Sequence, residues 1–385
     1  MLHSLFRLLN VQKTEEERPA LLLLAYGFFM GIFLATYRVV VETLFLNTQG
    51  ENLKLAFFVS GILGVLSTGL FTIFQKHISF KILAGFNLLA IFIFITAVFT
   101  GLSIESNPIF IFILYVMLFP ITSIMLLCFW GLFGRIFDIR QSKRIIGSID
   151  AGQLIATILA FISVPFFIEF ISNVTDLLII SDISILACLF FLFFINKEIR
   201  FAEVGEKQGK SDTIRFSKLF KDNYAIVLSL FIGISIICLT FVDYTFLKIT
   251  EQQYPEEVSL AKFLSYVYMS IMVFTLIMQT FINERLIASY GLKTALIVLP
   301  VVLGLFTIGA IITGNLFGYL PDSDNFIWFF LFIVLSKFFA NSIREALENP
   351  TFKIFFMPLK LNIRFDVQAK IEGVINESSR LSFRL

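Results

Sequence analysis

Charge is scarce in this sequence: Asp, Glu, Lys and Arg make up only 15% of its 385 residues, against 58% hydrophobic. So small a polar complement cannot clothe a water-facing surface of that size, which excludes a soluble globule and leaves lipid as the main solvent. Histidine is nearly missing, and His3 and His77 both fall in loop or terminal stretches. The three cysteines, Cys128, Cys188 and Cys238, sit inside apolar runs with no CxxC spacing. They are expected to be buried thiols, and neither a disulfide framework nor a metal centre is expected. No Walker loop, no GxGxxG after a strand and no nucleophile beside a plausible base can be found, so no catalytic residues, no cofactor and no enzyme activity are expected. A net charge of +2 is too small to point to a nucleic-acid partner. Met1 to Arg18 lacks the short apolar core and small-residue cleavage site of a signal peptide.

What the chain has in abundance is apolar length. Charge-free runs such as Ile82 to Phe99 are too long for barrel strands of about 9 to 11 residues, which also alternate in polarity. Every backbone polar group in hydrocarbon needs an internal partner, so the spans are expected to be helices. The fold class that follows is all-α: a polytopic membrane helical bundle of about ten spans. They are placed near 19–46, 55–75, 82–102, 108–133, 145–170, 177–196, 223–248, 258–283, 293–314 and 325–348. The 50 phenylalanines supply apolar bulk at lipid and core positions.

Loop charges alternate. One set carries Lys76 and Lys81, then Arg135 to Arg144, Lys197 to Lys221, Arg285 with Lys293, and Lys353 to Lys370. The intervening set, such as Asn47 to Leu53 and Gly101 to Asn107, contains no Lys or Arg. The positive-inside rule makes the first set cytoplasmic and the N-terminus with it. Residues 200–222 are the one sustained polar segment between spans, so the expected organisation is a first half at 1–199, a cytoplasmic linker at 200–222 and a second half at 223–385.

The halves repeat each other. Glu42-Thr43-Leu44-Phe45-Leu46 in the first span matches Asp243-Tyr244-Thr245-Phe246-Leu247 in the seventh. Phe137-Asp138-Ile139-Arg140-Gln141-Ser142-Lys143, followed by Gly147, matches Phe365-Asp366-Val367-Gln368-Ala369-Lys370, followed by Gly373. Matches at these places are the signature of a duplicated transporter bundle. Because the second copy of that loop lies so close to Leu385, the second half is expected to be truncated, with four spans and the start of a fifth.

Two pseudo-symmetric six-helix halves joined by a linker are the plan of the major facilitator fold. More closely, the sequence resembles the ATP/ADP translocase family of nucleotide transporters and its bacterial relatives. The resemblance rests on Tyr37-Arg38 followed by Glu42-Thr43-Leu44, on Phe129-Trp130 running into Phe137-Asp138, Lys143-Arg144 and Gly152, on Gly233-Ile234-Ser235 leading to Asp243 and Lys248, and on Met357-Pro358-Leu359 leading to Lys370. It departs from the family at Val41, where translocases place a Lys directly before the acid, and in having no acidic residue between Pro108 and Arg135. The resemblance implies transport of nucleotides, ATP:ADP antiport included, and a place in the bacterial inner membrane.

Ionisable groups inside spans are expensive and mark candidate sites. Arg38 and Glu42, four apart, share a helix face. Arg38 is the candidate anion ligand and Glu42 its orienter or a proton-coupling carboxylate; a purely structural ion pair is the alternative. Asp243, Lys248 and the mid-span Lys337 complete the expected set for substrate binding or coupling, with Lys337 expected to face a cavity. Arg344 and Glu348 are expected to form a solvated or gate-side pair near the cytoplasmic end. Asp138, Arg140, Lys143, Arg144, Asp366 and Lys370 are expected at a cytoplasmic gate. The expected partners are the lipid bilayer and a small anionic solute, nucleotide-like by the resemblance. The expected function is secondary transport by alternating access; the alternative is a non-transporting membrane anchor or sensor for a cytoplasmic module.

Overall fold

The computed structural model describes residues 14–104, 107–137, 139–170, 173–198, 223–323 and 325–355. These residues are helical almost throughout. Contacts divide the chain into two compact units, Met1–Phe45 with Leu63–Gly209, and Leu46–Ile62 with Lys210–Leu385.

The first unit is built from α1 (Thr14–Gln49), α2 (Leu53–His77), α3 (Phe80–Ile104), α4 (Pro108–Val116), α5 (Leu118–Ile136), α6 (Ile139–Phe170) and α7 (Leu177–Glu198). α4 opens on Asn107, whose side chain accepts from the Ile109 N–H at 2.9 Å, with Pro108 at the first helical position. The fourth span is broken at Met117, three residues before Pro120. Proline has no N–H to give the carbonyl four residues back, which is Val116, the last residue of α4. α5 stops at Phe137, which is extended, and α6 begins at once. The charged stretch from Arg140 to Arg144, expected as a loop, is therefore the first turns of α6.

α1 is central to this unit. A Cβ at Gly31 would stand 2.7 Å from the Gln153 carbonyl oxygen of α6 and 2.8 Å from Thr157 Oγ1, so only glycine lets the two backbones approach this closely. Thr36 Oγ1 and Ser181 Oγ, 2.8 Å apart, tie α1 to α7. The Tyr37 hydroxyl donates to the Leu114 carbonyl of α4 at 3.0 Å, and Phe45 stacks on Tyr115 at 4.1 Å.

The second unit contains the α1–α2 turn together with α8 (Asn223–Gln253), α9 (Glu257–Ile277), α10 (Asn283–Phe317), α11 (Phe326–Ile343) and α12 (Asn349–Phe355). α10 is two helices joined at a kink: Gly291, at φ 78°, breaks it in a conformation that side chains other than glycine rarely take. Two five-residue π segments interrupt the bundle, Met278–Ile282 after α9 and Arg344–Glu348 after α11. The core here joins Leu239, Met278, Leu299, Ala340, Ile343 and Leu347.

Large apolar side chains stand exposed along both units, Phe86, Phe166 and Phe193 in the first, Val227, Leu305 and Leu316 in the second. Such surfaces belong in hydrocarbon. Among the described residues nine apolar helical stretches are long enough to cross a membrane, and the first, 60 residues from Glu16 to Gln75, runs through both α1 and α2. Counting those two separately recovers the expected spans.

Candidate functional site

In the first unit the continuous helix α1 puts Arg38 and Glu42 on one face, a turn apart. Arg38 Nε donates to Glu42 Oε1 at 3.0 Å; the carboxylate side chain is 3% exposed and the guanidinium side chain 27%. Tyr37, next to Arg38 in the chain, is anchored to α4 and stacks on Phe33 at 5.3 Å. Val41, where translocases carry a lysine, is completely buried. A cation at that position would need a partner of its own.

In the second unit α8 and α11 bring Asp243 and Lys337 together. Lys337 Nζ lies 2.5 Å from Asp243 Oδ1, with side chains 1% and 23% exposed. The ammonium also stands 5.7 Å from the Phe246 ring centre and 5.8 Å from that of Tyr268, within reach of both π faces. Lys337 was expected to face a cavity; it is instead enclosed, and the carboxylate is the more open member of the pair. Lys248 does not join it. Its ammonium holds Glu251 Oε2 at 2.9 Å and the Gly50 carbonyl at 3.4 Å, fastening the α1–α2 turn, as the Asn47 side chain does by donating to the Pro255 carbonyl at 2.9 Å. Lys248 thus serves as a clamp, and Asp243 finds its cation on another helix.

Of the gate candidates, Asp138, Asp366 and Lys370 lie outside the described residues. The backbone of Arg140, Lys143 and Arg144 lies in the first turns of α6, and their side chains are outside the described structure. Arg344 and Glu348 do not form the expected solvated pair: Glu348 is buried, and Ser235 of α8 donates to it. Cys128 and Cys188 are buried as expected, whereas Cys238 is exposed. It lines an apolar groove of about 710 Å³ between α8, α10 and α11, walled by Phe231, Ile234, Leu303, Phe329 and Ile333.

Sequence reasoning passed over Asp182. This acid of α7 accepts from Thr96 Oγ1 of α3 at 3.1 Å through one oxygen, while the other is buried without a partner among the described residues. The signal was present, since an acid within an otherwise apolar run always asks for a role.

Arg38 and Lys337 thus each hold a carboxylate of their own unit. In low dielectric such a pair holds together until something neutralises or replaces one member.

This chain has the fold of the major facilitator transporters. The nucleoside transporter NupG superposes with a TM-score of 0.67 at 15% identity, over 94% of this chain and 88% of that one. The xylose transporter XylE from E. coli gives 0.60 at 12%, over 94% and 90%. A bacterial homologue of the human lysosomal transporter Spinster gives 0.59 at 12%, over 96% and 81%. No family model matches the sequence, and no curated protein sequence does.

Proposed function

We propose that this protein is a secondary transporter of a small anionic solute, working by alternating access, with the N-terminus on the cytoplasmic side. The observation that carries the proposal is that two cations set within spans each hold a carboxylate, Arg38 with Glu42 and Lys337 with Asp243. An arriving anion competes with the resident carboxylate for the cation. Protonating the carboxylate removes the competitor, so that the cation attracts an anion more strongly. Proton and anion uptake are linked in this way without any further machinery.

The charge supply also bears on substrate. The Arg38 pair, with Val41 in place of a further lysine, suits an anion of one or two charges better than a triphosphate, whose stripped charges need a cluster of donors. Nucleoside monophosphates are the first class to try: the resemblance around Arg38 and Glu42 supports the nucleotide part, and NupG is by its title a nucleoside transporter. The test is uptake of labelled nucleotides, nucleosides and simple organic anions into proteoliposomes carrying the full chain, with Arg38→Ala and Asp243→Ala alongside. Uptake of an anion that falls at least tenfold in both variants is expected; uptake that is absent for every anion, or unchanged in both variants, would sink the proposed site.

A further inference from the structure

We infer that Glu348 is a second proton-binding site, separate from the Arg38 and Lys337 pairs and built into the seam where α8 meets the π segment after α11. The helix widens at Arg344–Glu348, and a matching π segment at Met278–Ile282 packs against it. The Gln279 side chain of that second segment donates to the Glu345 carbonyl at 3.5 Å. Wide turns of this kind forfeit regular helical hydrogen bonds and are found mostly where a side chain has been placed for use.

The side chain placed here is an acid. Glu348 is 2% exposed; its Oε1 accepts from Ser235 Oγ at 2.5 Å, and its Oε2 is buried with no partner among the described residues. Its helix neighbours Ala346 and Leu347 belong to the apolar cluster that also holds Leu239, Met278 and Leu299. Among the described residues the charged groups acting on it are Arg344 and Glu345, which oppose each other, and α8 contributes the Ser235 hydroxyl. Arg344 makes no ion pair with it within contact distance among the described residues. A carboxylate needs several donors or a close cation to stay ionised away from water, and one hydroxyl does not suffice. The neutral acid fits the same surroundings with one hydrogen bond and little desolvation cost. Glu348 therefore holds a proton taken from water, and losing it would put an unpaired anion into the seam between α8 and α11. The packing of the two π segments becomes sensitive to pH through this residue.

Infrared spectroscopy of the full chain in lipid nanodiscs at neutral pH tests this directly. The spectrum of the native protein minus that of Glu348→Gln should contain the carbonyl stretch of a protonated carboxyl group. In Ser235→Ala that band should move to higher frequency, because the carbonyl loses its hydrogen-bond donor, a change that also reads the site should Glu348→Gln fold poorly. A carboxylate stretch in the difference spectrum in place of the carbonyl band, or a band unmoved by Ser235→Ala, would overturn the inference.

Discussion

Asp243 and Lys337 stand 94 residues apart in the chain and meet at 2.5 Å, whereas Arg38 and Glu42 meet within one turn. That difference decides how each pair responds to mutation. Asp243→Asn takes away the carboxylate held by the ammonium of Lys337, 1% exposed, and breaking a buried pair from one side costs about 3–5 kcal/mol. Thermal unfolding in detergent should show a clear fall in midpoint for Asp243→Asn and for Lys337→Met. The double variant Asp243→Asn/Lys337→Met should recover most of it, because no orphan charge remains. Transport should stay lost in all three, separating the pair's structural role from its function. The Arg38 pair was legible in the sequence because helical spacing alone places its members on one face. Asp243 was legible as a costly acid, but its partner was not: periodicity says which face a residue takes and nothing about which of many distant helices covers that face.

At the scale of helices, apolar length made the spans visible, while their breaks depended on single residues. Proline at 120 marks the division of the fourth span, and Gly291 marks the bend that separates the short approach helix from the span proper in α10. Gly291→Ala forces a side chain into a positive-φ extended conformation that is almost exclusive to glycine and should cost about 1–3 kcal/mol, read as a lower unfolding midpoint. Gly31 acts through contact. Gly31→Val drives a branched side chain into the Gln153 carbonyl and Thr157 of α6, so α1 and α6 must separate, and overpacking of this kind costs about 1–3 kcal/mol. The expected result is loss of the monodisperse peak in size-exclusion chromatography. A valine at Gly304, which has nothing close to its absent Cβ, should leave that peak intact. No pattern in the sequence distinguishes these two glycines, because the helix that faces each is set by tertiary packing. The π segments escaped notice for a related reason: they add one residue to a turn and leave the apolar run uninterrupted.

For the molecule as a whole, the bundle and its membrane setting follow from composition alone, and the transporter fold follows from structure shared at 12–15% identity. Orientation rests on loop charge. A single cysteine introduced at His77, in a chain first cleared of its own thiols, should react with a membrane-impermeant maleimide only after cells are opened. One at Asn107 should react in intact cells. Substrate and driving ion rest on the matched charge pairs, and the central claim is that an anion displaces a carboxylate that takes up a proton. Proton movement on substrate addition tests this most directly, using proteoliposomes that contain a pH-sensitive dye and carry no imposed gradient. Adding the transported anion outside should acidify the lumen in step with uptake, and in Asp243→Asn uptake and acidification should be lost together. Anion uptake with no lumenal pH change in the native protein would contradict the account.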